Sequence, residues 1–167
     1  MSRSKNNLIV DSIKTYQAKL VTPFAVLGIR TEEDWLTDIE YLPIGTQPLV
    51  PQTSLAKEVC QQLQAYLTEP GFTFDLCLHI SGTTHQRRVW QAIQIIPSGE
   101  TSSYAEIAAQ LHSAPRAVGR ACGANRIPIV IPCHRVIAKN GGLGGFMNAS
   151  DGDPLEIKRW LLHHEST

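Results

Sequence analysis

Hydrophobic residues in the first half of the chain follow first strand-like and then helix-like spacing. Strand-like runs lie at residues 8–10, 24–28 and 35–42. A helix is predicted to begin at Thr53 or Ser54, whose hydroxyls can cap it, because apolar residues then recur at helical spacing. The recurring residues are Leu55, Val59, Leu63 and Leu67. This pattern predicts a small unit of strands and one helix.

Strict alternation of apolar and polar residues follows at residues 72–81. The apolar positions are Phe72, Phe74, Leu76, Leu78 and Ile80. This period of two predicts a strand with one buried face and one solvent face. A Ser-Gly pair then indicates a domain boundary, which divides the chain into an N-terminal domain of residues 1–82 and a C-terminal domain of residues 83–167.

The second half begins with helical spacing and contains two capping boxes. Thr83 and Gln86 form the first box, and the helix that it starts ends before a Pro-Ser-Gly stop. Ser103 and Glu106 form the second, followed by a new apolar stripe. The stripe consists of Tyr104, Ile107, Ala108 and Leu111. After a short turn Ser113 can cap another helix, so the segment predicts a helix–turn–helix.

The second helix of this pair combines arginines and glycines on one face. That face carries Arg116, Gly119, Arg120 and Gly123. The buried stripe is predicted to be Ala114, Val118, Ala121 and Cys122. Each glycine disfavours a helix by about 1 kcal/mol relative to alanine. Small residues beside arginines would let the helix approach a DNA groove closely. A tight contact with another helix is the alternative, and the glycines by themselves leave both open.

Charge and composition narrow the class of protein. The chain has 167 residues and zero net charge, with 43% hydrophobic and 18% charged residues, which is typical of a globular protein. Residues 84–139 hold seven basic and two acidic side chains, a net charge of +5. This favours either a basic face for a polyanion or an ordinary mixed surface. No apolar stretch is long enough to span a bilayer and no signal-peptide core is evident, so we expect a cytoplasmic protein without a membrane partner.

One cysteine, Cys133, stands apart from the others. An apolar run at residues 127–131 precedes it and His134 follows it, so a buried strand is predicted to deliver the cysteine to its end. Because a neighbouring imidazole or cation lowers the pKa of a thiol, the segment predicts an activated thiol. The remaining cysteines are Cys60, Cys77 and Cys122. They show no CxxC spacing that would indicate zinc, and we expect them to be small core residues.

His134 needs a group that orients its ring. Neighbours in an extended chain point in opposite directions, so contact between His134 and Cys133 would need a turn or a bridging water. A carboxylate on the other ring nitrogen is the expected partner. A C-terminal helix that Asp153 can cap places Glu165 near its end, where a carboxylate opposes the helix dipole. Glu165 is one candidate partner, although the sequence of this helix by its own pattern favours a frayed, solvated helix end.

A glycine-rich loop precedes this last helix at residues 141–147. It lacks the Gly-Lys-Ser/Thr ending of a phosphate-binding loop. Phe146 and Met147 would offer apolar contact to a flat ligand, which predicts a flexible pocket wall. A simple surface loop is the alternative.

Several separated motifs of the chain resemble those of one known protein family. They are Ile96-Pro97-x-Gly99, Thr101-x-Ser103-Tyr104, Arg116-Ala117-Val118-Gly119, Asn125, Ile131-Pro132-Cys133-His134-Arg135-Val136 and Trp160-Leu161-Leu162-x-His164-Glu165. With these motifs in this order, the chain resembles the O6-alkylguanine-DNA alkyltransferases. The resemblance implies an α+β fold, with a small ribonuclease-H-like α/β domain followed by a mostly helical domain that carries a winged-helix-like helix–turn–helix.

The activity implied by the resemblance is DNA repair by direct reversal. An alkylated guanine is flipped out from the minor groove, and the thiolate of Cys133 takes its alkyl group irreversibly. O4-alkylthymine is a second implied substrate. The implied partner is double-stranded DNA carrying O6-alkylguanine, bound by a monomer in the cytoplasm that is associated with the nucleoid. No cofactor and no metal are expected.

The resemblance also assigns roles to individual residues. The implied catalytic residues are Cys133, His134, Glu165, Tyr104 and Asn125. Glu165 would orient His134, Tyr104 would donate to the leaving guanine, and Asn125 would hold a turn. The residues expected at DNA are Ser103, Arg116, Ala117, Gly119, Arg120, Gly123 and Arg135, with Arg116 filling the vacated stack. The expected base pocket consists of Tyr104, Val136, Phe146 and Met147.

Two other functions are compatible with parts of this pattern. A lesion-binding relative would flag damage without repairing it, but such proteins lack the cysteine that this chain has. A helix–turn–helix transcription regulator would read the major groove with larger polar side chains. The glycine-rich face of the second helix argues against it.

Overall fold

We describe the protein from a computed structural model, which covers residues 15–144 and 153–166. The predicted strand at residues 8–10 lies outside the described residues. So do Phe146 and Met147, the expected pocket wall. Among the described residues, no helix has the length and apolar character needed to cross a membrane.

The N-terminal half contains a three-stranded antiparallel sheet backed by one helix. Its strands are β1 (Ala18–Val21), β2 (Val26–Glu32) and β3 (Trp35–Leu42), in the order β1-β2-β3. Helix α1 (Ser54–Thr68) begins where predicted, because the hydroxyl of Thr53 accepts a hydrogen bond from the Ala56 N–H. The predicted strands at β2 and β3 are confirmed. Strand β1 spans four residues, too few for the alternation to be recognised.

The predicted strand at residues 72–81 is only half right. Burial alternates along it as expected, with apolar residues partly covered and polar residues exposed. The backbone, however, forms just one bridge to β3, where Leu36 exchanges hydrogen bonds with Cys77 and His79. The side chain of Gln62 takes the place of a neighbouring strand, since it bonds both the N–H and the carbonyl of Asp75 at 2.9 Å. A side-chain partner satisfies the backbone locally but does not extend a sheet.

The C-terminal half is mostly helical. Its helices are α2 (Thr84–Gln94), α3 (Tyr104–Leu111), α4 (Pro115–Gly123) and α5 (Asp153–Glu165). Both predicted capping residues, Thr83 and Ser103, accept from the backbone N–H three positions later. Two short strands, β4 (Ser102–Ser103) and β5 (Val136–Ile137), pair in parallel beneath α3. The predicted α+β class is confirmed.

The start of α4 differs from the prediction. Ala114, not Ser113, occupies the N-cap position, and no side chain caps the helix. Pro115 at the first helical position lacks an N–H and pre-sets the backbone angle, so a capping hydroxyl is less needed there. The Ser113 hydroxyl instead lies 2.8 Å from Nε2 of His85. Ala114 is exposed and does not belong to the buried stripe.

The two halves share one continuous set of buried side chains. Polar contacts also join them: the β3 residue Ile39 donates its N–H to the carbonyl of Arg126 at 2.9 Å, and Tyr66 of α1 reaches Glu165 of α5. The ring of Phe24 lies against Trp160 with 4.6 Å between centroids. The division of the chain after residue 82 stays a prediction.

Candidate active site

Cys133 begins a single turn of 3₁₀-helix, Cys133–Arg135, and is 3% exposed. The predicted strand at residues 127–131 is wrong, because these residues form a compact turn. The side chain of Asn125 closes this turn by accepting from the N–H of Ile127 and donating to the carbonyl of Ile131, both at 2.9 Å. The same amide nitrogen donates to Sγ of Cys133 at 3.2 Å. Asn125 therefore joins the turn to the thiol.

The surroundings of Cys133 do not favour a resting thiolate. A hydrogen bond with the Cys122 thiol and burial together raise the pKa of Cys133 well above its usual value, against the opposing effects of Asn125 and of the Lys158 charge. The sequence-based expectation that neighbouring groups lower the pKa of Cys133 below its usual value is therefore not met. Sγ carries its proton at rest, so the site must remove that proton during the reaction.

His134 is fully buried and directly oriented by Glu165. Its Nε2 lies 2.7 Å from Oε1 of Glu165. Burial would raise the pKa of Glu165, but hydrogen bonds from His134 and Arg135 hold it at about 2. A carboxylate that is ionised can only accept, so Nε2 carries the hydrogen and Nδ1 is the basic nitrogen. Burial lowers the pKa of His134, which keeps the ring neutral.

Glu165 has two further donors. The guanidinium of Arg135 donates from Nε to Oε2 at 2.9 Å and from Nη2 to Oε1 at 2.8 Å, a bidentate geometry that fixes the carboxylate plane. The hydroxyl of Tyr66, on α1 of the N-terminal half, donates to Oε1 at 2.8 Å. Glu165 is thus buried at the centre of a network and is not a frayed terminal residue.

Lys158 is a second charged residue that acts on the thiol of Cys133. It is completely buried, and its Nζ donates to the carbonyls of Val136 and Leu143 at 2.7 and 2.6 Å. Burial lowers its pKa to about 8, with Cys122 and Cys133 nearby. Near neutral pH the ammonium is therefore still charged. This positive charge favours the thiolate form of Cys133.

The expected base-pocket residues that the structure describes lie beside this lysine. The hydroxyl of Tyr104, at the start of α3, lies 3.5 Å from Nζ of Lys158. Burial raises the pKa of Tyr104 well above its usual value, so the hydroxyl stays a donor. Gly144 passes close to this ring at a φ of +69°, and a Cβ there would lie 2.9 Å from Cε2 of Tyr104. Only glycine fits both the angle and the contact.

Helix α4 presents the expected mixture of arginine and small residues to solvent. Arg116 and Arg120 are exposed, and the small residues Ala117, Gly119 and Gly123 of the same helix are half-buried. Among the described residues, a Cβ added to Gly119 would meet only the Tyr104 ring, at an ordinary 3.9 Å. Packing against this part of the chain therefore does not require glycine at position 119.

Two expected DNA contacts point elsewhere. Arg135 is turned inward, where its guanidinium binds Glu165 and also donates to the carbonyl of Ile96 at 2.7 Å. The positive charge of Arg135 is therefore paired with the Glu165 carboxylate within the site. Ser103 is buried, and its hydroxyl accepts from the N–H of Glu106 as the cap of α3. These two side chains serve the interior, whereas the other five expected residues lie on α4.

Comparison with known proteins finds one family and several relatives that cover most of this chain. Residues 84–167 match the family model described as 6-O-methylguanine DNA methyltransferase, DNA binding domain. The chain is 44% identical over 137 residues to the constitutive methylated-DNA–protein-cysteine methyltransferase of Bacillus subtilis, covering 81% of this chain and 79% of that protein. It is 35% identical over 159 residues to the methylated-DNA–protein-cysteine methyltransferase of Methanosarcina acetivorans, covering 91% and 99%.

The chain belongs to the 6-O-methylguanine DNA methyltransferase family. Its structure is also similar to that of Mycobacterium tuberculosis OGT crystallised in complex with DNA. The TM-score is 0.74 at 37% sequence identity, with 88% of this chain and 90% of the other covered.

In this member of the methyltransferase family, three residues of the site were not predicted from the sequence. Lys158 continues the buried stripe of α5 that Leu155 and Leu161 define, so a lysine on an apolar stripe was the available signal. Cys122 was expected in the core but is half-buried beside Cys133. Tyr66 gave no signal, because its partner lies 99 positions away. Of the other cysteines, Cys60 is buried as expected, whereas Cys77 is exposed.

Proposed function

We propose that this protein repairs DNA by transferring an alkyl group from O6 of guanine to Sγ of Cys133, in a reaction that each molecule performs once. The observation that carries the proposal is the buried thiol of Cys133, bonded by Asn125 and flanked by the oriented His134–Glu165 pair. Membership of the methyltransferase family supports the same reaction.

The proton of the thiol leaves through His134. Because Nε2 is committed to Glu165, Nδ1 is the nitrogen that accepts the proton, through a water between the two side chains. The Glu165 carboxylate then stabilises the imidazolium that forms. Lys158 lowers the cost of forming the thiolate, although the resting thiol is neutral.

Alkyl transfer is an in-line displacement. A lone pair of the Sγ thiolate forms the new S–C bond, the C–O6 bond breaks, and its electron pair returns to the guanine. Tyr104 donates a hydrogen bond to the guanine as negative charge develops on the base. Because the pKa of Tyr104 is raised, its hydroxyl keeps the proton that it donates. The product is a thioether without a good leaving group. The thiol is not regenerated, and no cofactor takes part.

Helix α4 supplies the DNA-binding surface. Its small residues allow close approach to the minor groove, and Arg120 neutralises backbone phosphates. Arg116, exposed at the start of the helix, occupies the stack that the flipped base leaves. The base enters a pocket next to Tyr104 and Val136. O4-alkylthymine is a second candidate substrate.

This function sets the partner and the place of action. The partner is double-stranded DNA that carries O6-alkylguanine, and the protein binds it as a monomer. We infer a cytoplasmic protein associated with the nucleoid, because its substrate is the chromosome itself. We also propose that the chain divides into domains after residue 82, with the DNA-binding and acceptor groups in the second domain.

Intact-mass measurement after incubation with a duplex carrying O6-methylguanine tests the proposal. We expect a gain of one methyl group on Cys133, none in Cys133→Ala, and an unchanged gain in the control Cys77→Ala, which removes an exposed cysteine. Binding of the lesion without a gain in mass would instead support a lesion-binding protein. Sequence-specific binding to undamaged DNA would support a transcription regulator.

A further inference from the structure

Strand β3 of the N-terminal half contacts the turn that follows α4. The N–H of Ile39 donates to the carbonyl of Arg126 at 2.9 Å. The neighbouring residue Asp38 accepts from Nε and Nη2 of the same arginine at 2.9 and 2.8 Å, both on Oδ1. Backbone and side chain of Arg126 are therefore both held by adjacent residues of β3. The two partners of the ion pair lie 88 positions apart.

The ion pair is strongly asymmetric. Asp38 is 5% exposed, whereas just over half of the Arg126 side chain is open to solvent. Within the described part of the chain, Oδ2 of Asp38 accepts no hydrogen bond. Arg126 thus supplies the positive charge that compensates a buried carboxylate. Moving the arginine away would leave that charge unpaired, so the position of Arg126 is tightly restrained.

Arg126 directly follows Asn125, the residue that donates to the thiol. The side chain of Asn125 is fixed on both ends, by Ile127 on its oxygen and by Ile131 and Cys133 on its nitrogen. Hydrogen bonds weaken steeply as their angle worsens. A small shift of the turn would therefore weaken the bond to Sγ.

The turn itself is strained and needs support. Ile129 has a φ of +72°, a left-handed conformation that is unfavourable for a β-branched side chain. Such a conformation persists only where surrounding contacts hold it. The contacts of β3 with Arg126 provide an external restraint of this kind, supplied by the other half of the chain.

We propose that Asp38 is a positioning residue for the acceptor thiol, which acts through Arg126 to hold the amide of Asn125 against Sγ of Cys133. The inference rests on the proposed function only in that it takes Cys133 as the reacting thiol. It gives the N-terminal half a specific part in the chemistry, in addition to its share of the core.

The test compares how fast Cys133 reacts with a small thiol reagent, iodoacetamide, over a range of pH. Site-resolved peptide mass spectrometry separates Cys133 from the other three cysteines. Other groups near Sγ that shape its titration are Cys122, Tyr41, Tyr104 and Lys158. The variants below leave all of them in place.

Asp38→Asn keeps the shape of the side chain and removes its charge. In this variant we expect the pH profile of Cys133 alkylation to move to higher pH and the alkylation rate at pH 7 to fall about three- to tenfold. The reference variant Asn125→Ala should shift the profile in the same direction. Ser98→Ala is the matched control. It removes another hydrogen bond between the halves, from the Ser98 hydroxyl to the carbonyl of Pro70 at 2.7 Å, and should leave the profile unchanged.

A double variant separates positioning from general stability. If Asp38 acts through Arg126, Asp38→Ala/Arg126→Ala should lose no more Cys133 reactivity than Asp38→Ala alone. An Asp38→Asn profile that coincides with the wild type would overturn the inference, even if the melting temperature falls. Failure of the wild type to accept an alkyl group from DNA would refute the proposed function separately, because the iodoacetamide profiles do not depend on DNA.

Discussion

The hydroxyl of Tyr66 lies 2.8 Å from Oε1 of Glu165, although the two residues are 99 positions apart. This bond fastens α1 to the carboxylate that orients His134. The same carboxylate accepts from Arg135, so three donors converge on one buried side chain. The arrangement explains why Glu165 remains ionised in the interior, and it makes the site sensitive to a residue far from it in sequence.

Removing this bond should weaken both fold and reaction. For Tyr66→Phe we expect the free energy of unfolding to fall by about 1.5–3 kcal/mol, the usual value for a hydrogen bond to a charged group. Alkyl transfer should slow as well, because Glu165 is less well fixed. Urea unfolding and single-turnover kinetics measure the two effects. Tyr16→Phe is the control, since Tyr16 bonds Glu40 on the exposed surface. Equal losses in both variants would contradict the prediction.

Glu165 should also determine part of the acid stability. Its pKa is about 2 in the fold and 4.5 ordinarily, so its stabilisation is complete above about pH 4.5 and is lost as the pH falls through about 2. This shift corresponds to about 3 kcal/mol. Glu165→Gln should unfold more easily at pH 7 and lose less stability between pH 4.5 and 2 than the wild type does.

The matched control for that variant is Glu156→Gln, an exposed carboxylate on the same helix. Its urea midpoints should follow the wild type at every pH. If the stability of Glu165→Gln fell as steeply between pH 4.5 and 2 as that of the wild type, other carboxylates would determine the acid stability. We also expect Glu165→Gln to slow alkyl transfer on the order of ten- to a hundredfold, because His134 loses its orienting charge.

Gly119→Ala separates DNA binding from packing on α4. In the part of the chain that the structure describes, the added Cβ would make only an ordinary contact with the Tyr104 ring, so the fold should gain up to about 1 kcal/mol from better helix propensity. Affinity for DNA should nevertheless fall, because a methyl group would stand between the helix and the groove. Thermal unfolding and a DNA titration at fixed salt test this. Gly71→Ala, which also has open space, is the control and should leave DNA affinity unchanged.

Arg116→Ala should matter only for duplex substrates. We expect at least about tenfold slower transfer from O6-alkylguanine in a duplex, because the vacated stack is no longer filled. Reaction with free O6-benzylguanine should stay unchanged, since no base must be flipped. Arg159→Ala removes an exposed arginine from α5 and serves as the control. Equal slowing on both substrates would refute the role of Arg116 in base flipping.

Cys122 should restrain the acceptor thiol. Its hydrogen bond is the largest of the effects that raise the pKa of Cys133. In Cys122→Ala this effect is removed, so the pH profile of Cys133 alkylation should move to lower pH. The exposed cysteine variant Cys77→Ala should leave the profile in place. A shift to higher pH in Cys122→Ala would show that the Cys122 thiol instead stabilises the thiolate.

Local patterns predicted the helices well. The capping residues Thr53, Thr83 and Ser103 and the stripes that follow them involve neighbours within a few positions, so their geometry depends little on the rest of the fold. The segments at residues 72–81 and 127–131 were misjudged for the opposite reason. Their apolar residues are partly or fully covered as expected, but side chains of Gln62 and Asn125 satisfy their backbones in place of strands.

The class of chemistry could be inferred from residue order alone, because the motif around Cys133 and the small face of α4 are local combinations of residue types. The protonation of the site and the direction of its charges could not be inferred in this way, because they arise from the folded arrangement. The Cys122 thiol and burial raise the pKa of Cys133, Arg135 turns toward Glu165, and Lys158 is enclosed beside the thiol. These properties depend on desolvation and on partners from distant parts of the chain, which hydrophobic spacing does not encode.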